Sequence, residues 1–236
     1  MAANDQKRPR VRGDIQASIA RSIAKGEFAA GENLPPEAEL AQKFGVSRTA
    51  LREAIKGLEA KFMVKSRPRV GTSVLPQEEW AILDQDVLSW IADLLNVNIF
   101  IEAVLEARRA IEPAAAVLAC RRANLTDLSR IENALNAMSA ATGNPDAFTD
   151  ADLAFHEALL MASHNPVFAQ FVHSVRAGLN LMLLASNKSV EDYSRTIASH
   201  KILLDALTMR DEKAAQNASL TLLAHANEDL KRKNKT

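Results

Sequence analysis

The sequence predicts a mainly α-helical protein with two parts, a small N-terminal domain that ends in a β-hairpin and a longer all-α antiparallel helical bundle. Apolar residues recur at helical spacing along most of the 236 residues, and short strand patterns occur only around Gly71. From Ile82 onward, only short connections containing Asn, Gly or Pro interrupt the helical pattern, which favours a bundle. Aromatic residues make up only 5% of the chain, and Ala and Leu are frequent, which also favours helix.

Composition and charge divide the chain in the same way. Hydrophobic residues make up 47% of it, enough for a substantial core. The formal net charge is zero, but the residues up to Leu75 include 14 Lys and Arg against 8 Asp and Glu, and the remainder has 15 against 21. The basic first part therefore has the charge of a nucleic-acid-binding surface, whereas the acidic second part would repel DNA.

Cysteine content and hydropathy indicate a cytoplasmic protein. Cys120 is the one cysteine, so an intrachain disulfide is excluded, and its apolar surroundings predict a core position. The N-terminus is basic and polar, without the apolar segment of a secretory signal. No apolar run has the length of a membrane span, so we expect no membrane association.

A short helix over residues 36–44 and a longer one over 47–61 are joined by a Gly-containing turn. Ser47 is a good N-cap for the longer helix, because its hydroxyl can accept from the free amides of the first turn. Arg48 and Arg52 are four residues apart and leave the same side of this helix. Two short helices in this arrangement predict a helix-turn-helix. A solvated surface is the alternative for the two arginines.

Two strand candidates follow, Met63–Ser66 and Gly71–Val74, with Arg67 and Arg69 at the basic tip between them. A helix-turn-helix followed by a basic hairpin predicts a winged helix-turn-helix with two points of DNA contact. A first helix over residues 13–25 completes this domain.

The motifs of this domain resemble those of a known DNA-binding family. They are Leu34-Pro-Pro-Glu-Ala-Glu-Leu-Ala41, Phe44-Gly-Val-Ser-Arg-Thr49, Leu51-Arg-Glu-Ala54, Leu58-Glu59 and Gly71-Thr72. Together they make residues 10–75 similar to the winged-helix domain of GntR-family transcription factors. The resemblance implies that double-stranded operator DNA contacts the recognition helix and the wing tip, through Ser47, Arg48, Thr49, Arg52, Arg67, Arg69 and Gly71. Ala38 replaces an arginine of many members, which can alter operator preference.

The second part is predicted to consist of helices over residues 82–95, 98–122, 125–141, 146–163, 166–186, 190–209 and 211–231. Asn144-Pro145 and Asn165-Pro166 read as N-cap and first-turn pairs. We therefore expect a flexible basic arm, a DNA-binding domain, a linker, a bundle and a tail, at residues 1–12, 13–75, 76–81, 82–231 and 232–236.

The bundle resembles the FCD effector domain of the FadR-type branch of the GntR family. The resemblance rests on Leu105-Glu-Ala-Arg108, Ile111-Glu-Pro113, Asp152-Leu-Ala-Phe-His156, Asn165-Pro166 and His200. The segment Leu83–Trp90 is further similar to sugar-acid regulators such as galactonate operon repressors. The resemblance implies a homodimer that binds a small carboxylate effector.

Asp152 and His156 are four residues apart, so both side chains leave one face of a helix and can meet one cation. In the FCD family the residues matching Asp152, His156 and His200 hold a divalent, Zn-like metal. Leu222 replaces the usual fourth ligand, a histidine. A hydrogen-bonded pair inside the bundle is the alternative for Asp152 and His156.

Arg108 matches a family arginine that faces the effector cavity, where it can bind a carboxylate bidentately. A salt bridge with Glu112 is its alternative. Asn165 is a second candidate effector contact, and helix capping is its alternative.

The sequence therefore predicts a ligand-responsive transcriptional regulator, a repressor that a small carboxylate such as a sugar acid releases from its operator. The effector would act by reorienting two winged domains through residues 75–81. A metal-dependent enzyme and an architectural DNA binder are alternatives, but no nucleophile or general base accompanies the metal candidates, and the bundle is large and acidic.

Overall fold

The computed structural model describes residues 8–94, 96–173, 175–176 and 193–233, and the chain divides into two compact units, residues 1–95 and 96–236. The first unit contains α1 (Arg8–Ala24), α2 (Glu37–Lys43), α3 (Arg48–Ala60), β1 (Val64–Arg67), β2 (Gly71–Val74) and α4 (Gln85–Ile91), with 3-10 turns at Gln77–Glu79 and Ala92–Leu94. The second contains α5 (Val97–Arg122), α6 (Leu125–Ala140), α7 (Pro145–Ala162), α8 (Pro166–Gln170), α9 (Tyr193–Thr208) and α10 (Glu212–Lys233). The predicted fold class is confirmed.

The first unit is built on the apolar face of α3. Leu51 and Leu58 are fully buried there against Ile19 of α1, because these residues recur at helical spacing on one side of the helix. The antiparallel hairpin pairs Val64 with Val74 and covers one end of this core. The wing is therefore attached to the same core that supports α3.

The structure differs from the predicted domain boundary at α4. This helix lies in the first unit, whereas its residues were predicted to open the bundle. Val87 and Ile91 are buried in the core of the first unit, and Nζ of Lys61 contacts Asp84 Oδ1 at 2.6 Å. Trp80, in the predicted linker, is buried too, and its Nε1 donates to the carbonyl of Leu75 at 2.8 Å. Burial of these apolar side chains thus makes the predicted linker part of the first unit.

Other predicted boundaries shift or lie outside the described residues. Helix α1 begins at Arg8, within the predicted arm, and the remainder of that arm is outside the described residues. Helix α8 ends at Gln170, much earlier than predicted, and residues 177–192 are outside the described residues. Helix α10 continues to Lys233, into the predicted tail.

The second unit has an all-helical core. Helices α6 and α7, joined by residues 141–144, pack closely, and α10 packs against α5 and α9. Ile131, Phe155 and Leu207 are fully buried between these helices, and Cys120 lies in the same core, as predicted. Among the described residues, no helix is long and apolar enough to cross a bilayer.

Side-chain caps fix the starts of these helices. Asn144 Oδ1 accepts from Ala147 N at 3.2 Å, and Asn165 Oδ1 accepts from Val167 N at 3.0 Å, as the sequence predicted. Asn124 and Asp127 form a capping box at the start of α6. The caps fix the residue at which each helix begins, and with it the residues that lie on the buried face.

Arg210 ties the turn after α9 to the end of α5. Its guanidinium donates to the carbonyls of Cys120 at 2.9 Å and Ala123 at 2.6 Å, groups that a helix end leaves without intrahelical partners. Its backbone has φ 59°, a left-handed conformation that closes α9. Arg210 therefore bonds the free carbonyls at the end of α5, while its own backbone conformation ends α9.

We expect Arg210→Ala to lower the free energy of unfolding by about 1–2 kcal/mol, because charged hydrogen bonds to the carbonyls of Ala119, Cys120 and Ala123 are lost. Arg121→Ala is the matched control. Its ion pair with Glu212 is exposed and should contribute no more than about 1 kcal/mol. Urea unfolding followed by circular dichroism measures both, and equal losses would contradict this role of Arg210.

Candidate functional site

The first candidate site is the exposed face of α3. Ser47 caps the helix as predicted, and its Oγ accepts from Ala50 N at 3.2 Å. Arg48, Thr49 and Arg52 are exposed, while the opposite face of α3 is buried. The helix thus presents basic and hydroxyl side chains on one surface, of the kind that can enter a DNA major groove.

Arg52 has a partner that the sequence did not predict. Its Nε donates to Glu37 Oε2 at 2.8 Å, across the turn between α2 and α3. Both side chains are about half exposed or more, at 65% and 49%, so the ion pair adds little stability. The contact uses Nε, and the terminal nitrogens of Arg52 are the pair that can fork onto a guanine.

The wing supplies a second basic surface. Arg67 and Arg69 are exposed at the hairpin tip, where Arg69 has φ 64° and Gly71 has φ 112°. Asn33 supports this tip, because its Nδ2 donates to the carbonyl of Val70 at 3.4 Å. The wing thus extends the basic character of the first unit beyond α3.

The second candidate site lies in the helical unit, where Asp152, His156 and His200 meet. His200 Nε2 is 3.1 Å from Asp152 Oδ1 and 3.4 Å from His156 Nε2, and the latter is 3.8 Å from Asp152 Oδ1. Both imidazoles are 1% exposed. Helix α7 supplies two of these residues at i,i+4 spacing, and packing adds the third from α9.

The inner atoms of this cluster have the properties of a metal site. Nδ1 of His200 donates to the carbonyl of Thr196 at 2.8 Å, so the Nε2 of a neutral imidazole presents a lone pair inward. Facing acceptors repel unless a proton or cation lies between them. Zinc binds nitrogen and oxygen at about 2.0–2.2 Å, so its tetrahedral ligands lie about 3.3–3.6 Å apart. The three residues therefore fit a divalent ion.

A buried ion pair adjoins the cluster. Arg108 Nε donates to Glu112 Oε1 at 2.6 Å, and Glu112 Oε2 lies 2.8 Å from His156 Nδ1. The Arg108 side chain is 4% exposed, and its Nη2 has no hydrogen-bond partner among the described residues. The salt bridge considered from the sequence is present, and it leaves one buried donor of Arg108 unused.

The electrostatics keep both carboxylates ionised. Burial alone would raise the pKa of Glu112, but the positive charge of Arg108 and the adjacent imidazole of His156 outweigh burial and lower the pKa from 4.5 to about 2. Burial also opposes ionisation of Asp152, yet the neighbouring imidazoles of His200 and His156 hold its pKa well below the usual range. A cation therefore meets negative charge in this cluster.

No fourth protein ligand occurs among the described residues. Leu222 is buried in the apolar core of the unit. His225 lies one turn further along α10, where its Nδ1 is 3.1 Å from Ser199 Oγ. The group that could hold a metal comprises Asp152, His156 and His200.

Asn165 acts as a cap in this structure. Its Oδ1 accepts from the amides of Val167 and Phe168, and no described contact joins it to the cluster. Sequence reasoning missed the contacts of Glu37 and Thr196 and the Glu112–His156 contact. The i,i+4 spacing could have suggested the Thr196–His200 contact, but the other two cross between elements.

Comparisons with known proteins match both units. The profile described as "Bacterial regulatory proteins, gntR family" matches residues 12–74, and the profile described as "FCD domain" matches residues 103–225. The resemblance inferred from the motifs is thereby confirmed.

Two relatives are similar over nearly the whole chain. The galactonate operon transcriptional repressor of Escherichia coli (strain K12) is 35% identical over 218 residues, which cover 92% of this chain and 95% of that protein. The HTH-type transcriptional regulator YieP of the same strain is 36% identical over 214 residues, which cover 89% and 90%.

The structure of Lar, which controls the agr system of Listeria monocytogenes, is similar in fold. It aligns with a TM-score of 0.67 at 19% identity, over 98% of this chain and 99% of that chain. The matching relatives are transcriptional regulators, which argues against the alternative of a metal-dependent enzyme. The chain belongs to the GntR family of bacterial DNA-binding transcriptional regulators, and its C-terminal part is an FCD domain.

Proposed function

We propose that this protein is a cytoplasmic repressor that binds a palindromic operator as a homodimer and releases it when a small carboxylate, such as a sugar acid, binds the helical unit. The observation that carries this proposal is the buried cluster of Asp152, His156 and His200, with Arg108 close by. The relative that represses a galactonate operon supports a sugar acid as the effector class.

Operator recognition is assigned to α3 and the wing. Arg48 and Arg52 would read base edges, while Ser47 and Thr49 would contact phosphates or bases near the N-terminus of α3. Arg67, Arg69 and the backbone of Gly71 would follow the DNA backbone. On binding DNA, Arg52 would keep or exchange its contact with Glu37. Rearranging this ion pair would cost little free energy, because both side chains are exposed.

Charge balance in the cluster favours an anionic effector after a metal has bound. With neutral imidazoles, Arg108, Glu112 and Asp152 together carry one net negative charge. A divalent, Zn-like ion held by Asp152, His156 and His200 would supply two positive charges and open positions for oxygen donors. The same group of side chains then carries one net positive charge, and the unpartnered Nη2 of Arg108 is a buried donor suited to a carboxylate.

The coupling between effector and DNA is proposed to depend on a pivot beyond Ile91. The burial of Trp80 and of Val87 and Ile91 in the first unit supports this pivot rather than one at residues 75–81. The effector would favour an arrangement of the two winged domains that no longer matches the operator, by binding that arrangement more tightly.

Arg52→Ala should weaken binding to the preferred operator by about 1–3 kcal/mol, because a bidentate base contact is lost. Arg69→Ala should weaken all duplexes alike and reduce the salt slope by about one unit, because a phosphate contact is lost. Gel shifts at several salt concentrations, on the duplex that wild type selects from a random pool and on a scrambled duplex, separate the two effects.

Arg130→Ala, an exposed arginine of the second unit, is the control and should leave both duplexes unaffected. If Arg52→Ala binds the selected duplex like wild type, the assignment of α3 as the recognition helix is wrong.

Chelation should lower the melting temperature of wild type, because a ligand that binds only the folded state stabilises it by about 2.7 kcal/mol at a hundredfold excess over its Kd. His156→Ala should purify without metal and lose this response. His225→Ala is the control, since that imidazole contacts Ser199 instead. Elemental analysis that finds no stoichiometric metal in wild type would refute metal binding.

Arg108→Lys should blunt the release of operator by galactonate or a related sugar acid, because lysine lacks the planar fork. We choose lysine because Arg108→Ala would leave Glu112 as an unpaired buried charge. Operator affinity without the acid should stay close to wild type. The neighbouring Arg109→Lys is the control, and equal responses in all three proteins would place the effector elsewhere.

A further inference from the structure

Glu112 and His156 are brought together by the packing of α5 on α7. Glu112 Oε2 lies 2.8 Å from His156 Nδ1, and both side chains are 1% exposed. Neither atom has a hydrogen bond of normal geometry among the described residues, so the close ionic contact between them is what compensates the burial of each. Glu112 is itself held by Arg108, through the 2.6 Å contact to its second oxygen.

This contact determines which nitrogen of His156 faces the cluster. A carboxylate beside Nδ1 retains a proton there, and the lone pair of a neutral imidazole then lies on Nε2. Nε2 is the atom that lies near Asp152 and His200. His200 has only the neutral carbonyl of Thr196 at its outer nitrogen, so a charged outer partner is found at His156 but not at His200.

We propose that Glu112 is a positioning residue for His156: it orients the imidazole, fixes its tautomer and strengthens it as a ligand, while Arg108 holds Glu112 in place. The inference rests on the proposed metal binding and extends it to a residue that does not touch the metal. Second partners of this kind change metal affinity about 10–100-fold when they are removed.

Zinc titration of metal-stripped, full-length protein by calorimetry tests this inference. Glu112→Gln should weaken Zn²⁺ binding about 10–100-fold relative to wild type, because the amide is nearly isosteric but uncharged. Glu157→Gln is the matched control. It lies next to His156 on α7 and also loses an ion pair with an arginine, Arg176, but its carboxylate contacts that arginine instead of the imidazole.

A second variant separates positioning from folding. Glu112→Gln alone leaves Arg108 unpaired in the core, which could unfold the unit. The double variant R108Q/E112Q removes both members of this buried ion pair, so neither charge is left unpaired. It should still bind Zn²⁺ at least tenfold more weakly than wild type, since removing the positive charge of Arg108 would by itself favour a cation. Melting temperatures measured with chelator confirm that the metal-free folds are comparable.

Cobalt provides a readout that a purely structural role would not change. Glu112→Gln should shift the visible absorption of bound Co²⁺, because the ligand strength of His156 changes, whereas Glu157→Gln should not. A double-variant loss below tenfold, or an unchanged cobalt spectrum, overturns the inference while metal binding stands. If wild type itself binds no zinc near one equivalent, the proposed metal site fails, and this inference fails with it.

Discussion

A buried charge is costly unless another charge or a hydrogen bond compensates it, and the second unit is arranged around this constraint. It buries Arg108, Glu112, His156 and His200 between its helices. Arg108 neutralises Glu112, which also contacts His156, and His200 has a carbonyl at its outer nitrogen. These contacts leave three acceptor atoms facing one another: Asp152 Oδ1 and the Nε2 atoms of His156 and His200. The candidate metal site is thus the part of this buried network that the other contacts leave uncompensated.

The first unit meets a simpler constraint. Helix α3 must bury an apolar face to be stable, so its opposite face is exposed. Ser47 at its start satisfies backbone amides and also lies at the end of the helix that is favourable for phosphate. The wing is paired by its own backbone and attached to the same core. Stability and the proposed DNA contact therefore use opposite faces of the same short elements.

The inclusion of α4 in the first unit affects how the proposed effector binding could be coupled to DNA binding. Val87 and Ile91 contribute apolar area to the core of the first unit, and Lys61 contacts both Asp84 and Asp86. A segment with these contacts moves with the domain on which it packs. In the proposed mechanism, effector binding to the helical unit would therefore act on a body larger than the segment that matches the family's DNA-binding domain, residues 12–74.

The sequence by itself determined what depends on neighbours three or four residues apart. Helical periodicity gave the two-part fold, Asn144 and Asn165 were identifiable as caps, and the spacing of Asp152 and His156 placed both on one face. The salt bridge of Arg108 and Glu112 was an open alternative for the same reason. The geometry of one α-helix fixes these relations, so no knowledge of packing is needed.

Tertiary structure decided the contacts between elements. It joined His200 to His156 across 44 residues, placed Glu112 beside His156, paired Arg52 with Glu37 and packed α4 into the first unit. The sequence pattern of α4 predicts a helix whichever unit that helix packs on. The neighbours of a helix are selected by the apolar surface that other elements present to it. That surface forms only as the chain folds. Helix spacing predicts which side chains share a face, whereas packing decides what that face meets.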